Sequence, residues 1–127
     1  MRLYLVRHAE AAPGTPDELR TLTAEGREQA RRLGERMRAK GVAPDAILSS
    51  PLLRARETAA ALGLGREEPH ERLAPGATPD DLRAAVAGRG DTVLVVAHQP
   101  DCSEITLALT GEERSFAPAD VAEIDLP

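Results

Sequence analysis

The sequence predicts an α/β fold: a single-domain three-layer sandwich with a mostly parallel central sheet and helices on both faces. Three observations predict it. Short, continuous apolar runs recur at residues 3–6, 46–48 and 92–97, the pattern of strands buried on both sides. Each run is followed by polar residues and then by a helical repeat, the alternation that builds parallel sheets. The 127 residues suffice for one domain, residues 1–127, to bury a core without cross-links.

In chain order, Leu3-Tyr4-Leu5-Val6 opens the sheet. Thr23 stands as the N-cap of an amphipathic helix on which Ala30, Leu33 and Met37 recur at helical spacing, and Gly41 supplies a stop before Pro44. Ala46-Ile47-Leu48 is the second strand. Ser50 and Pro51 read as the N-cap and first residue of a second helix running through about Leu62, with Gly63 just past its end. Further helices are expected over residues 80–87 and 100–109, on either side of the strand at 92–97. Val121-Ala122-Glu123-Ile124-Asp125-Leu126 alternates weakly, as an edge strand closing the sheet. Only residues 10–21 and 65–78 form connections long enough to cover a site, and neither can build a large lid. An open site admits a side chain carried on another protein.

Composition narrows the function classes. Tyr4 and Phe116 are the only aromatic residues, so the core is aliphatic. A net charge of −5 argues against general binding to nucleic acid or anionic membranes, which takes an excess of Lys and Arg. Cys102 is the sole cysteine, which rules out an intramolecular disulfide and suits a reducing compartment. The N-terminus lacks the apolar region of a signal peptide and no segment is long enough to span a bilayer, so a soluble, cytoplasmic protein is expected.

In open α/β sheets, ligands gather beyond the carboxyl ends of the strands. Three such ends stand out: Arg7-His8-Ala9-Glu10, Ser49-Ser50-Pro51 leading to Arg54, and His98-Gln99-Pro100. Singly, each residue has a structural explanation. Arg54, however, falls in the first turn of its helix, where the positive end of the macrodipole disfavours a cation unless an anion sits between them. Arg7 has the same need, and paired guanidinium forks suit phosphate oxygens.

These fragments, Leu5-Val6-Arg7-His8, Leu22-Thr23-x-x-Gly26, Ser49-Ser50-Pro51-x-x-Arg54-Ala55-x-x-Thr58-Ala59 and Ala97-His98, together resemble the histidine phosphatase, or phosphoglycerate-mutase-like, superfamily. Arg7-His8-Ala9-Glu10, Arg20 before Leu22-Thr23, His98-x-Pro100 and the short length are similar to its SixA-type phosphohistidine phosphatases. The resemblance implies that His8 is the phosphorylated nucleophile, that Arg7 and Arg54 bind phosphoryl oxygens, that His98 supports the transferring group, and that Arg20 is a further anion contact at the pocket mouth. It also implies a covalent phosphohistidine intermediate hydrolysed by water. Many members carry Gly where this chain has Ala9. The carboxylate that larger relatives use to protonate an alkoxide is not identified; Glu10, Glu71 and Asp80 are the candidates. A phosphorylated imidazole has less need of such an acid, since it leaves neutral once protonated on its other nitrogen, near pKa ~6.5. Protein phosphohistidine is therefore the expected substrate, with a phosphorelay or histidine-phosphotransfer protein as the kind of partner.

Other readings fit less well. A small-molecule phosphomonoesterase, a mutase and a noncatalytic phosphate-binding regulatory module remain as alternatives. A cysteine phosphatase needs an Arg where the spacing from Cys102 places Ala108, so Cys102 reads as a packed helix residue. Arginines beside the histidines repel a cation, so neither a metal nor another cofactor is expected. His70 lies outside the strand-end pattern and reads as a surface residue. Arg27, Arg31, Arg32, Arg36 and Arg38 read as a solvated helix face with Glu28 and Glu35 among them.

Overall fold

The computed structural model describes residues 1–127. Its elements run β1 (Arg2–Arg7), α1 (Ala24–Ala39), β2 (Ala46–Ser49), α2 (Leu53–Ala61), β3 (Glu67–Pro69), α3 (Pro79–Val86), β4 (Thr92–Ala97), α4 (Asp101–Thr110) and β5 (Val121–Asp125). Two single 3-10 turns, Asp17–Leu19 and Glu71–Leu73, interrupt the longer connections. The strands form one sheet in the order β3-β2-β4-β1-β5. All neighbours are parallel except β5, which runs antiparallel along β1.

The alternation of strand side chains explains the two layers of helices. Leu3, Leu5, Leu48, Val93 and Val95 point to one face and pack with Leu82 and Val86 of α3 and Cys102 and Ile105 of α4. Tyr4, Val6, Ile47, Leu94 and Val96 point to the other, against Ala30, Leu33 and Met37 of α1 and Ala55 and Ala59 of α2. Both faces of the central strands are covered, as their unbroken apolar runs require. Thr23 caps α1 by accepting from the Gly26 amide at 2.9 Å, and Thr78 and Asp81 form a capping box on α3. No helix is long and apolar enough to cross a membrane.

Three expectations need correction. The second helix starts at Leu53, not at Pro51. Ser50 still belongs to the sheet edge, where its amide donates to the Val96 carbonyl at 3.0 Å and its hydroxyl meets His98. Residues 65–78 are not simply a loop, because Glu67–Pro69 pairs with β2 as the edge strand β3. That strand places His70 directly at a strand end, its amide donating to the Ser49 carbonyl at 2.8 Å and its Nδ1 accepting from the Arg72 amide at 3.1 Å. Arg38 is exposed as expected, and its Nη1 also donates to the carbonyls of Leu62 and Gly63, closing the end of α2. Arg31 pairs with Glu28 and Glu35 along α1 as the charge pattern predicts.

Candidate active site

Strand register brings the chemistry to one edge. Arg7 lies opposite Ala97, and Ser49 opposite Val96, so His8, His98 and Ser50 leave the sheet side by side. The His8 amide donates to the Ala97 carbonyl at 3.0 Å, which extends the β1–β4 ladder by one step. The ring centres of His8 and His98 are 5.2 Å apart, edge to face.

His8 has its proton placed by the backbone. Its Nδ1 is 2.8 Å from the Ala9 carbonyl oxygen, a group that can only accept, so Nδ1 carries the hydrogen and Nε2 keeps a free lone pair. Ala9 is fully buried, and its amide donates to Thr58 Oγ1 at 3.0 Å, while that hydroxyl donates to the Arg54 carbonyl at 2.8 Å. One threonine on α2 thus ties the His8 turn to the helix that carries Arg54. Burial lowers the His8 pKa to about 4, and the charges of Arg54, Arg7 and Arg20 push it in the same direction. Sequence reasoning credits the guanidiniums with keeping this ring neutral; burial contributes more.

Arg7 donates from Nη1 to the Phe116 carbonyl at 2.7 Å, and its Nε is buried without a protein partner. An unsatisfied buried guanidinium donor is costly unless an anion completes it. Arg54, in the first turn of α2 and only 7% exposed, does find an anion. Its Nη2 reaches Asp17 Oδ2 at 3.2 Å and its Nη1 donates to the Asp17 backbone carbonyl at 2.9 Å. Arg20 donates from Nη1 to the other carboxylate oxygen of Asp17 at 3.1 Å, and from Nε to the Ala12 carbonyl at 2.8 Å. His98, 4% exposed, shares a 2.7 Å hydrogen bond between its Nε2 and Ser50 Oγ. Burial, then the charges of His8 and Arg54, lower its pKa to about 3.

The structure therefore gathers His8, Arg7, Arg54, His98 and Arg20 at one rim. Such a set can hold a tetrahedral oxyanion between forked donors and present an unprotonated imidazole to it. The largest cavity, about 440 Å³ between α4 and the loop before β5, contains none of these groups; chemistry rather than volume marks the site.

The carboxylate candidates fare differently. Glu10 turns to α1, accepting from Thr23 Oγ1 at 2.7 Å. Asp80 is 89% exposed and paired with Arg83 of its own helix, and Glu71 lies exposed in its 3-10 turn. Asp17, which sequence reasoning missed, is the carboxylate bound to the pocket guanidiniums. The signal for it was indirect: Arg54 needed an anion, and an unassigned acid stood three residues before Arg20. Asp101 is a second missed residue, buried, with Oδ2 accepting from the amides of Gly76 and Ala77, which pins the connection after β3 to the start of α4. Cys102 is buried among apolar groups, and burial raises its pKa to about 12, so it is a packing residue.

The chain is similar to known proteins in both sequence and fold. The family model described as "Histidine phosphatase superfamily (branch 1)" matches residues 3–75. An uncharacterized protein of Picosynechococcus sp. is 31% identical over 136 residues, covering 95% of this chain and 82% of its own. The solved structure of the protein histidine phosphatase SixA complexed with tungstate superposes with a TM-score of 0.89 at 26% identity, covering 99% of this chain and 88% of that one. A phosphoglycerate mutase from Thermus thermophilus shares the fold, with a TM-score of 0.73 at 24% identity over 100% of this chain and 94% of that one.

Proposed function

The chain belongs to branch 1 of the histidine phosphatase superfamily and is a phosphatase, and on that footing we propose that it hydrolyses phosphohistidine on a protein through a phosphohistidine intermediate on His8. His8 Nε2 attacks phosphorus in line with the departing nitrogen, and Arg7 and Arg54 neutralise the charge that spreads over the equatorial oxygens. Arg20 contacts the incoming anion at the mouth. His98, neutral and buried, donates to the transferring group. A water then takes the phosphoryl from His8, releasing orthophosphate and the neutral imidazole.

One observation carries the reading: the Nδ1 hydrogen bond to the Ala9 carbonyl, 2.8 Å long, leaves the His8 lone pair free beside the guanidiniums whose charges act on the ring. SixA, the structural neighbour, is a protein histidine phosphatase by its description, which favours a protein-borne phosphohistidine over a phosphate ester. The donor then belongs to the phosphorelay or histidine-phosphotransfer class, in the cytoplasm, and residues 1–127 act as one histidine phosphatase domain. Arg54, Arg7 and Arg20 beside His8, and Arg54 beside His98, repel a divalent cation, so the proposed reaction uses none.

The test compares wild type with His8→Ala on a phosphohistidine protein and a panel of small phosphate esters. Wild type is expected to release orthophosphate from the phosphohistidine protein and to yield an acid-labile, base-stable phosphoenzyme on rapid quench. His8→Ala should lose more than about a thousandfold in rate and form no phosphoenzyme. Rapid ester hydrolysis with an untouched phosphohistidine protein would overturn the substrate. Transfer to a substrate hydroxyl in place of water would make the enzyme a mutase.

A further inference from the structure

We infer that Asp17 selects the leaving group: its carboxylate, at the mouth of the pocket, receives the protonated nitrogen of a departing imidazole and disfavours groups that depart as anions. This deepens the phosphohistidine reading and rests on it.

Asp17 binds two of the guanidiniums assigned to phosphate, Arg54 through Oδ2 at 3.2 Å and Arg20 through Oδ1 at 3.1 Å. A carboxylate there competes with the phosphoryl group for the same donors, so phosphate binding alone gives no reason for it. Nor is it buried scaffolding, since the side chain is 59% exposed. In an in-line transfer the leaving group lies on the far side of phosphorus from His8, and an exposed carboxylate held by Arg54 and Arg20 is within the reach of a group that comes from solvent. Asp17 also bears on the site's interior, because its charge favours the protonated form of His98.

The charge state decides what Asp17 can do. Hydrogen bonding to Arg20, then to Arg54, holds its carboxyl below the usual carboxylate range, so at neutral pH it accepts hydrogen bonds and supplies no proton. An alkoxide or phenolate gains negative charge as it departs and is repelled. Phosphohistidine protonated on its second ring nitrogen presents a cationic N–H, which makes a charge-assisted hydrogen bond to the carboxylate and raises the share of substrate carrying that proton. The bond between phosphorus and the substrate nitrogen then breaks, its electron pair stays on that nitrogen, and the new bond forms to His8 Nε2. The imidazole leaves neutral, keeping the proton on its other nitrogen.

The experiment measures kcat/KM for free phosphohistidine and for p-nitrophenyl phosphate in wild type, Asp17→Asn and Glu18→Gln. Asp17→Asn should lower the ratio of the first to the second by about tenfold or more, the worth of one hydrogen bond to a charged group. Glu18→Gln removes an equal charge from the adjacent exposed residue and should leave the ratio at the wild-type value. An unchanged ratio in Asp17→Asn overturns the inference whatever the separate rates, because a loosened Arg54 slows both substrates alike. An equal fall in Glu18→Gln overturns it too, by showing a general field effect. Wild type that cleaves the aryl phosphate but not phosphohistidine removes the underlying substrate reading, a result distinct from either.

Discussion

His8 and His98 stand edge to face at the ends of adjacent strands, and both are held neutral, with burial the leading cause. A free imidazole titrates near pKa ~6.5, so the unfolded chain takes up protons in a range where the folded one does not. Folding stability from these two residues is therefore complete above pH ~6.5 and is lost as pH falls through about 4 for His8 and about 3 for His98. Proton NMR titration should show the His8 ring turning over near pH 4, and urea midpoints should decline steadily below pH ~6.5. A His8 midpoint near ~6.5 would mean that the ring is not shielded as described. The identities of these residues were legible from strand-end position. The protonated nitrogen was not, because a carbonyl at one particular angle sets it.

At the scale of elements, α1 and α2 meet at a contact that only glycine permits. A Cβ on Gly34 would overlap the carbonyl oxygen of Leu62, and one on Gly26 would overlap that of Glu10, two residues beyond His8. Gly34→Ala should destabilise the protein by about 1–3 kcal/mol through overpacking, read from urea denaturation. It should also reduce activity, since the helix displaced is the one holding Arg54 and Thr58. Wild-type stability in this variant would show that the helices separate without cost. Three of the five strands and all four helices were legible within a few residues, and the fifth strand was expected from its weak alternation. Strand β3 was not, because Glu67-Glu68-Pro69 has neither apolar alternation nor a run. Charge and proline are what an edge strand carries to discourage further pairing. The start of α2 was misplaced for a related reason: Ser50-Pro51 has the local chemistry of a helix start, but the sheet and His98 claim Ser50 first.

Across the whole molecule, the site draws on distant parts of the chain. Arg7 and His8 follow β1, Arg54 comes from α2, His98 follows β4, and the carbonyl that anchors Arg7 belongs to Phe116, before β5. The proposed oxyanion site exists only in the folded chain, so orthophosphate at a hundred times its dissociation constant should add about 2.7 kcal/mol to stability. Thermal unfolding should show that increment in wild type and lose it in Arg54→Ala. An equal rise in both would place the phosphate elsewhere. The sequence by itself determined the parallel core of the sheet, its helical layers and which arginines and histidines stand at the strand ends, because buried strands, caps and strand-end motifs are written in local chemistry. Tertiary structure alone decided that Asp17 meets Arg54 across 37 positions, that Thr58 links the His8 turn to α2, and that Arg38 seals the end of that helix. Those contacts join residues far apart in the chain, and which acid or hydroxyl completes a buried donor depends on where the backbone brings it.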